Sequence, residues 1–226
     1  MRGLHSMNAI RVPFIRDGLI ATCKTKPELI NTSRVLEGLN ILEVGCGGGI
    51  LTEQLGRLRA NVIGLDLGDD VIKVAREHLE NCSPQLINNV KYKVEAIEVH
   101  SKDNYEKYDA VVLSEVLEHV TDKVGLLSSC VDALKPGGSI FITTLNKTFL
   151  AWLGGIVIAE YVMNVIPKGT HTYDKFVAPL EVQRILDTLN CSTTLVNGII
   201  YDIFRNEWNW MESTQLSYAL QAVKNS

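Results

Sequence analysis

Two groups of residues in this chain have types and spacings suited to chemistry. The first is the run Ile41-Leu42-Glu43-Val44-Gly45-Cys46-Gly47-Gly48-Gly49. An apolar strand ends in an acid and passes into the alternating glycines Gly45, Gly47 and Gly49, ahead of a helix-like segment. Glycine has no Cβ, so such a turn can lay backbone N–H groups against a ligand. A second acid, Asp66, closes the next apolar run about 20 residues on, where a carboxylate can accept from ribose hydroxyls. Together they predict a nucleoside pocket at the carboxyl ends of two parallel strands. The second group is Glu115, Glu118 and His119, at i, i+3 and i+4 behind the strand-like run Tyr108–Leu113 and Ser114. In a helical turn these three share a face. Two carboxylates and an imidazole there can hold a divalent cation; the oxygen donors favour Mg²⁺ or Mn²⁺, and the imidazole keeps Zn²⁺ open. The plainer alternatives are acids placed for a helix dipole, a hydrogen-bonded Glu–His pair, and His119 as a general base.

The elements that position these residues alternate between strand-like and helix-like stretches, which argues for a parallel, doubly wound sheet. Strands are expected at 40–45, 61–66, 90–95, 108–113 and 138–144, and helices near 49–59, 69–81 and 121–134. Asp69 or Asp70 is placed to cap the second helix, and Lys135-Pro136-Gly137-Gly138 to stop the third. The runs 193–200 and 215–224 are close enough to pair antiparallel. The expectation is an α/β fold: a seven-stranded, mostly parallel sheet with an antiparallel C-terminal hairpin and helices on both faces. In such a sheet a ligand lies at the carboxyl edge where strand order switches. Gly45, Asp66, Glu95–Ile97 and Ser114 should therefore converge there.

At 226 residues the chain fits one domain with a full core. A net charge of −4 gives no basic field to attract nucleic acid. The five cysteines are odd in number, scattered and without a C-x-x-C pair. They read as reduced thiols in a cytosol-like or matrix-like compartment. Cys46, inside the glycine turn, reads as a small residue that fits rather than a nucleophile. The first residues carry no secretory signal and are too short for a complete transit peptide.

Residues 148–166 form an apolar run nearly long enough to span a bilayer. Glu160 inside it, Gly154-Gly155, and its place between sheet elements argue against a span. It reads as a core helix or as a lid, at about 147–178, that meets a membrane and a lipid tail. Trp152 and Tyr161 suit such an interface. His171 follows in a loop bracketed by Gly and Pro, placed to touch a substrate ring or accept a proton, or merely exposed.

The glycine run is neither a P-loop nor a clean dinucleotide fingerprint, since Ile50 and Thr52 occupy the sixth positions. The pattern acid-x-Gly-x-Gly-x-Gly instead resembles motif I of class I methyltransferases dependent on S-adenosylmethionine (SAM). Further segments agree: Leu4-His5-Ser6-Met7-Asn8 with Arg11, Glu115–His119, Leu134–Gly138, Thr144-Leu145-Asn146 and Pro167-Lys168-Gly169-Thr170-His171. With these, nearly the whole chain resembles the ubiquinone-biosynthesis O-methyltransferases. The resemblance implies a Rossmann-like methyltransferase fold and O-methylation of polyprenylated dihydroxybenzoates and demethylubiquinol. It implies SAM contacts at Arg11, Gly45, Asp66 and Ser114, to which Glu43 and Gly47 of the turn belong by position. It places a metal, Mg²⁺ before Zn²⁺ or Mn²⁺, on Glu115, Glu118 and His119, with Glu118, His119 and His171 as the catalytic candidates. It also implies a peripheral site on the matrix side of the mitochondrial inner membrane, contact through 148–166, and a place in a multi-enzyme complex. Two departures stand out: Glu43 replaces the commoner Asp, and no tryptophan-containing segment stands ahead of Leu4. The competing readings are another class I methyltransferase acting on a different quinone precursor, phenol or carbon, an NAD-linked oxidoreductase, and a non-catalytic SAM-binding subunit.

Overall fold

The apolar runs of the sequence become the centre of one sheet. The computed structural model describes residues 2–146, 177–202 and 204–226. His171, the run 148–166 and nearly all of the expected lid lie outside them. The strands are β1 (Asn40–Val44), β2 (Asn61–Asp66), β3 (Val90–Val94), β4 (Tyr108–Ser114) and β5 (Leu134–Leu145). β6 (Cys191–Asp202), β7 (Glu207–Met211) and β8 (Ser217–Lys224) follow. Their order across the sheet is β3-β2-β1-β4-β5-β8-β6-β7. The β1–β2, β2–β3, β1–β4 and β4–β5 pairs are parallel, whereas β8 pairs antiparallel with β5 and β6. Strand order reverses between β1 and β4, so the carboxyl ends of those two strands flank the crevice where such sheets bind ligands.

The expected architecture is therefore present, with an eighth strand at its edge. β7 pairs antiparallel with β6, and only Trp208 and Trp210 alternate within its five residues. Trp208 packs on Tyr201 with ring centroids 5.0 Å apart.

The helices are α1 (Arg2–Ala21), α2 (Thr52–Arg57), α3 (Asp69–Cys82), α4 (Ile97–Asp103), α5 (Lys123–Ala133) and α6 (Pro179–Thr188). α3 begins after Gly68, whose backbone takes the cap position, and Asp69 and Asp70 fall in its first turn, where their charges suit the dipole. Asp122 caps α5 by accepting from the Gly125 N–H at 2.9 Å. α1, α4 and α6 were not expected. In α1 the interior Pro13 reads as a breaker, and α4 is only seven residues long.

Neighbouring residues of a strand point to opposite faces, and each face has its own core. Ile41 and Phe141 pack with Met7, Ile10, Phe14 and Leu19 of α1 and with Ile72 of α3. Leu42 and Ile140 pack with Leu127 of α5 and Leu186 of α6. α1 is pinned across the first face. Phe14 meets Phe141 edge-on at 5.3 Å between ring centroids and Trp210 at 5.8 Å. Gly18 lets the helix approach the sheet, since a Cβ there would stand 2.6 Å from Phe141 and Gln221. The Gln221 amide donates to the Gly18 carbonyl at 3.3 Å.

Removing that anchor should be costly. Phe14→Ala is expected to lower stability by about 3–5 kcal/mol, measured by equilibrium urea unfolding. A loss below about 1 kcal/mol would mean that α1 is held mainly by its polar contacts.

Candidate functional site

The glycine turn joins β1 to α2 at the carboxyl edge, and its glycines serve two purposes. Gly45, Gly47 and Gly49 all take left-handed φ, at 73°, 51° and 79°, where side chains are disfavoured. At Gly45 a Cβ would also stand 2.5 Å from Val116 Cγ2, and at Gly49 it would collide with the Tyr92 hydroxyl. These two glycines exist to let neighbours approach. Gly47 and Gly48 are different: a Cβ on either would meet nothing within 4 Å. Their backbone borders open space, which is what a ligand lying on the turn requires.

Asp66, at the end of β2, braces this turn. Its Oδ2 accepts from the Gly47 N–H and its Oδ1 from the Gly68 N–H, both at 2.9 Å. A carboxylate has about four lone-pair sites, so these two bonds leave capacity for hydroxyls of a ligand. The Glu95 N–H donates to the Asp66 carbonyl at 3.1 Å, which brings the end of β3 to the same edge, as expected.

Beneath the turn, Glu43 is buried, and its Oε2 accepts from the Thr52 hydroxyl at 2.5 Å. Burial pushes the Glu43 carboxyl up to about 7, against the opposing pull of Thr52 and Arg11. Arg11 reaches this region from α1 and is only 5% exposed. Its Nη1 donates to Ser114 Oγ at 2.8 Å, and Ser114 Oγ lies 2.9 Å from Thr143 Oγ1. Burial lowers the basicity of the guanidinium, while Glu43 and then Glu115 restore part of it. The expected contact residues Arg11, Glu43, Gly45, Gly47, Asp66 and Ser114 are thus assembled at one edge. Arg11 is no surface charge, and Ser114 partners an arginine rather than capping the next turn.

The acidic segment after β4 departs from the expected shape. Glu115 takes φ 57°, so the chain bends instead of starting an α-helix, and only Leu117–His119 form a short 3-10 turn. Glu115, Glu118 and His119 therefore do not share a helical face. Glu118 is 1% exposed, whereas His119 is exposed. Among the described residues, no group of three or more His, Cys, Asp or Glu side chains is arranged to hold a metal ion. The two carboxyls do act on each other. Burial, then the charge of Glu118, raises the Glu115 carboxyl to about 8, and burial raises Glu118 as well. Thr144 Oγ1 donates to Glu118 Oε2 at 2.6 Å, but Oε1 of each glutamate is buried without a hydrogen-bond partner. A hard cation or a proton is what such a pair lacks. The exposed imidazole stays outside the buried pair, so the pair offers two carboxylates rather than the three expected ligands.

Sequence reasoning assigned no role to Thr143, Thr144, Thr52 or Asn8. The readable signal for the first two was a pair of hydroxyls at the end of an otherwise apolar strand, beside the acids across the β4–β5 ladder. Other polar groups are structural. His100 is buried between Glu95 Oε2 at 2.6 Å and the Tyr108 hydroxyl at 2.7 Å. Burial pushes the Cys46 thiol upward, away from the thiolate that a nucleophile requires. A cavity of about 290 Å³ opens at the opposite, amino edge, lined by Asn40, Asn61, Asn89 and Lys91 among others, away from every residue of the site.

The state of Glu43 yields a pH test. Folding raises its affinity for a proton, so stability falls as pH climbs from 4.5 to about 7. Glu43→Gln keeps an acceptor for Thr52 and should flatten that decline in urea-derived stabilities. An unchanged slope would assign the proton uptake elsewhere.

Residues 42–140 match the family model of a methyltransferase domain. The fold is that of the magnesium protoporphyrin IX methyltransferase of Synechocystis PCC 6803 crystallised with S-adenosylhomocysteine (TM-score 0.64, 18% identity, 99% of this chain and 84% of that one). A SAM-dependent methyltransferase from Methanosarcina mazei is similar too (TM-score 0.65, 18% identity, covering 88% and 98%). Closer in sequence are proteins named ubiquinone biosynthesis O-methyltransferase. The mitochondrial one from Bos taurus is 47% identical over 223 residues, 99% of this chain. This chain spans 59% of that relative's length. The mitochondrial one from Dictyostelium discoideum is 37% identical, covering 99% of this chain and 71% of its own. The one from Xanthomonas campestris is 36% identical, covering 98% and 84%. With the glycine turn, its acids and the sheet order in place, this chain belongs to the ubiquinone biosynthesis O-methyltransferase family.

Proposed function

We propose that this chain transfers the methyl group of SAM to a ring hydroxyl of a polyprenylated dihydroxybenzene intermediate of ubiquinone synthesis. The observation that carries the reading is the buried carboxyl pair Glu115–Glu118 seated beside the open glycine turn, with Val116 packed on Gly45. A nucleoside on the turn and a phenol at the acids would then be neighbours. The names of the relatives support the substrate class, since they specify ubiquinone biosynthesis, and five of those names add mitochondrial.

In this reading the ribose rests on Asp66 and the amino-acid carboxylate on Arg11. The acids near the turn favour a cationic sulfonium electrostatically. The nucleophile is a phenol of ordinary pKa about 10, so a group must take its proton as oxygen attacks the methyl carbon. Most of the rate comes from aligning oxygen, carbon and sulfur. A divalent cation, Mg²⁺ before Mn²⁺ or Zn²⁺, would be held by Glu115 and Glu118, with His119 as the third candidate, and would supply Lewis acidity to the phenol. A second reading is favoured by the raised Glu115 carboxyl: the pair itself accepts the proton, since a base poised near neutral pH suits that task. His171, outside the described residues, is the remaining candidate base. We assign the run 148–166 to contact with the lipid tail and the membrane surface, on the matrix side of the mitochondrial inner membrane. Association with other enzymes of the pathway belongs to the same proposal.

Methyl transfer from labelled SAM to a short-chain dihydroxybenzoate is the decisive assay. Transfer abolished by EDTA and restored by Mg²⁺ supports the cation; transfer indifferent to EDTA supports the carboxyl pair; no transfer to any dihydroxybenzoate rejects the function. Glu118→Gln should lower kcat by about a hundredfold or more, with SAM affinity nearly unchanged. Asp66→Ala should weaken SAM binding by about tenfold in calorimetry, and unaltered affinity would remove Asp66 from the ribose.

A further inference from the structure

Asn8 lies one helical turn before Arg11 on α1, and its amide is used at both ends. Asn8 Oδ1 accepts from Arg11 Nη2 at 2.6 Å and from Arg11 Nε at 3.1 Å. Asn8 Nδ2 donates to the Ile50 carbonyl at 2.9 Å. Ile50 directly follows Gly49, so one side chain ties the guanidinium to the end of the glycine turn. We infer that Asn8 is a positioning residue, which sets Arg11 relative to the turn so that its charge meets the amino-acid carboxylate of the methyl donor.

This inference rests on the proposed binding of SAM, with Arg11 at the carboxylate. Three physical points support it. An arginine carries five N–H donors in a rigid fork; Asn8 takes the Nε and Nη2 side and Ser114 takes Nη1. Such fastening fixes the plane of the guanidinium, and fixing it before binding lowers the entropy lost on binding. Second, Asn8 and Ser114 are uncharged, so they orient the guanidinium without adding to the charge that Glu43 and Glu115 already set against it. Third, only an amide of this length does both jobs. Aspartate would accept from Arg11 but could not donate to Ile50, and its charge would compete with a ligand carboxylate. Alanine would release the arginine and leave the Ile50 carbonyl without its donor, while Asp66 still braces the turn.

The test compares two ligands that share the nucleoside and the thioether. S-Adenosylhomocysteine carries the amino-acid carboxylate; 5′-methylthioadenosine does not. In calorimetry, Asn8→Ala should weaken S-adenosylhomocysteine by about tenfold and leave 5′-methylthioadenosine within about twofold. Asn8→Asp, which keeps the contact to Arg11 and guards against a simple loss of folding, should show the same selective loss. An equal loss for both ligands, or no loss for either, overturns the inference and makes Asn8 a plain staple of α1. Arg11→Ala separates the two levels. If it discriminates between the ligands while Asn8→Ala does not, only the inference on Asn8 fails. If Arg11→Ala does not discriminate, the placement of Arg11 fails with it. Failure of the unaltered chain to bind S-adenosylhomocysteine rejects the proposed function itself.

Discussion

A guanidinium buried at the carboxyl edge of the sheet organises everything near it. Arg11 is almost wholly removed from water, and an isolated buried charge is prohibitively unfavourable. It persists because Glu43 and Glu115 lie within its electrostatic reach and because Asn8 and Ser114 accept its hydrogens. The dependence is mutual. Desolvation pushes both carboxyls toward protonation, and the arginine opposes that push. The network joins α1 to β1 and β4 and to the segment after β4, so the helix is tied to the site by charge as well as by the Phe14 ring contacts.

The second constraint is steric. The glycine turn admits Val116 at Gly45 and the Tyr92 hydroxyl at Gly49. The first contact seats the acidic segment beside the turn, and the second stacks β3 beneath it. Between them Gly47 and Gly48 keep a bare stretch of backbone. The left-handed residue Glu115 completes this geometry, because its φ turns the chain after β4 and the Glu115 N–H donates to the Thr143 carbonyl at 2.9 Å. A non-glycine residue there carries backbone strain of about 1 kcal/mol or more, which the surrounding contacts must offset.

Periodicity and turn chemistry were enough to find the five parallel strands, α3, α5 and the antiparallel pairing of β6 with β8, because these elements bury regular apolar patterns. They were not enough for α1, where Pro13 interrupts the pattern yet the helix continues against the sheet. Nor did they reveal β7, whose five residues form a strand only because β6 offers an edge to pair with. Spacing failed most clearly at Glu115, Glu118 and His119. An i, i+3, i+4 pattern places three side chains together only if the backbone is helical, and the left-handed bend at Glu115 sends His119 to solvent while Glu118 turns inward.

What the sequence determined by itself is the local chemistry: a turn that needs glycines, an acid at the end of each of the first two strands, and the order of strands and helices. These follow from properties of single residues and their near neighbours. What only the tertiary structure decided is which distant groups share a dielectric environment. Arg11 lies 103 residues from Ser114, and no local pattern predicts that it will be buried against that hydroxyl. Burial and charge proximity are sums over the whole packed chain, so the raised carboxyls and the bracing amide of Asn8 exist only once the sheet and α1 have come together.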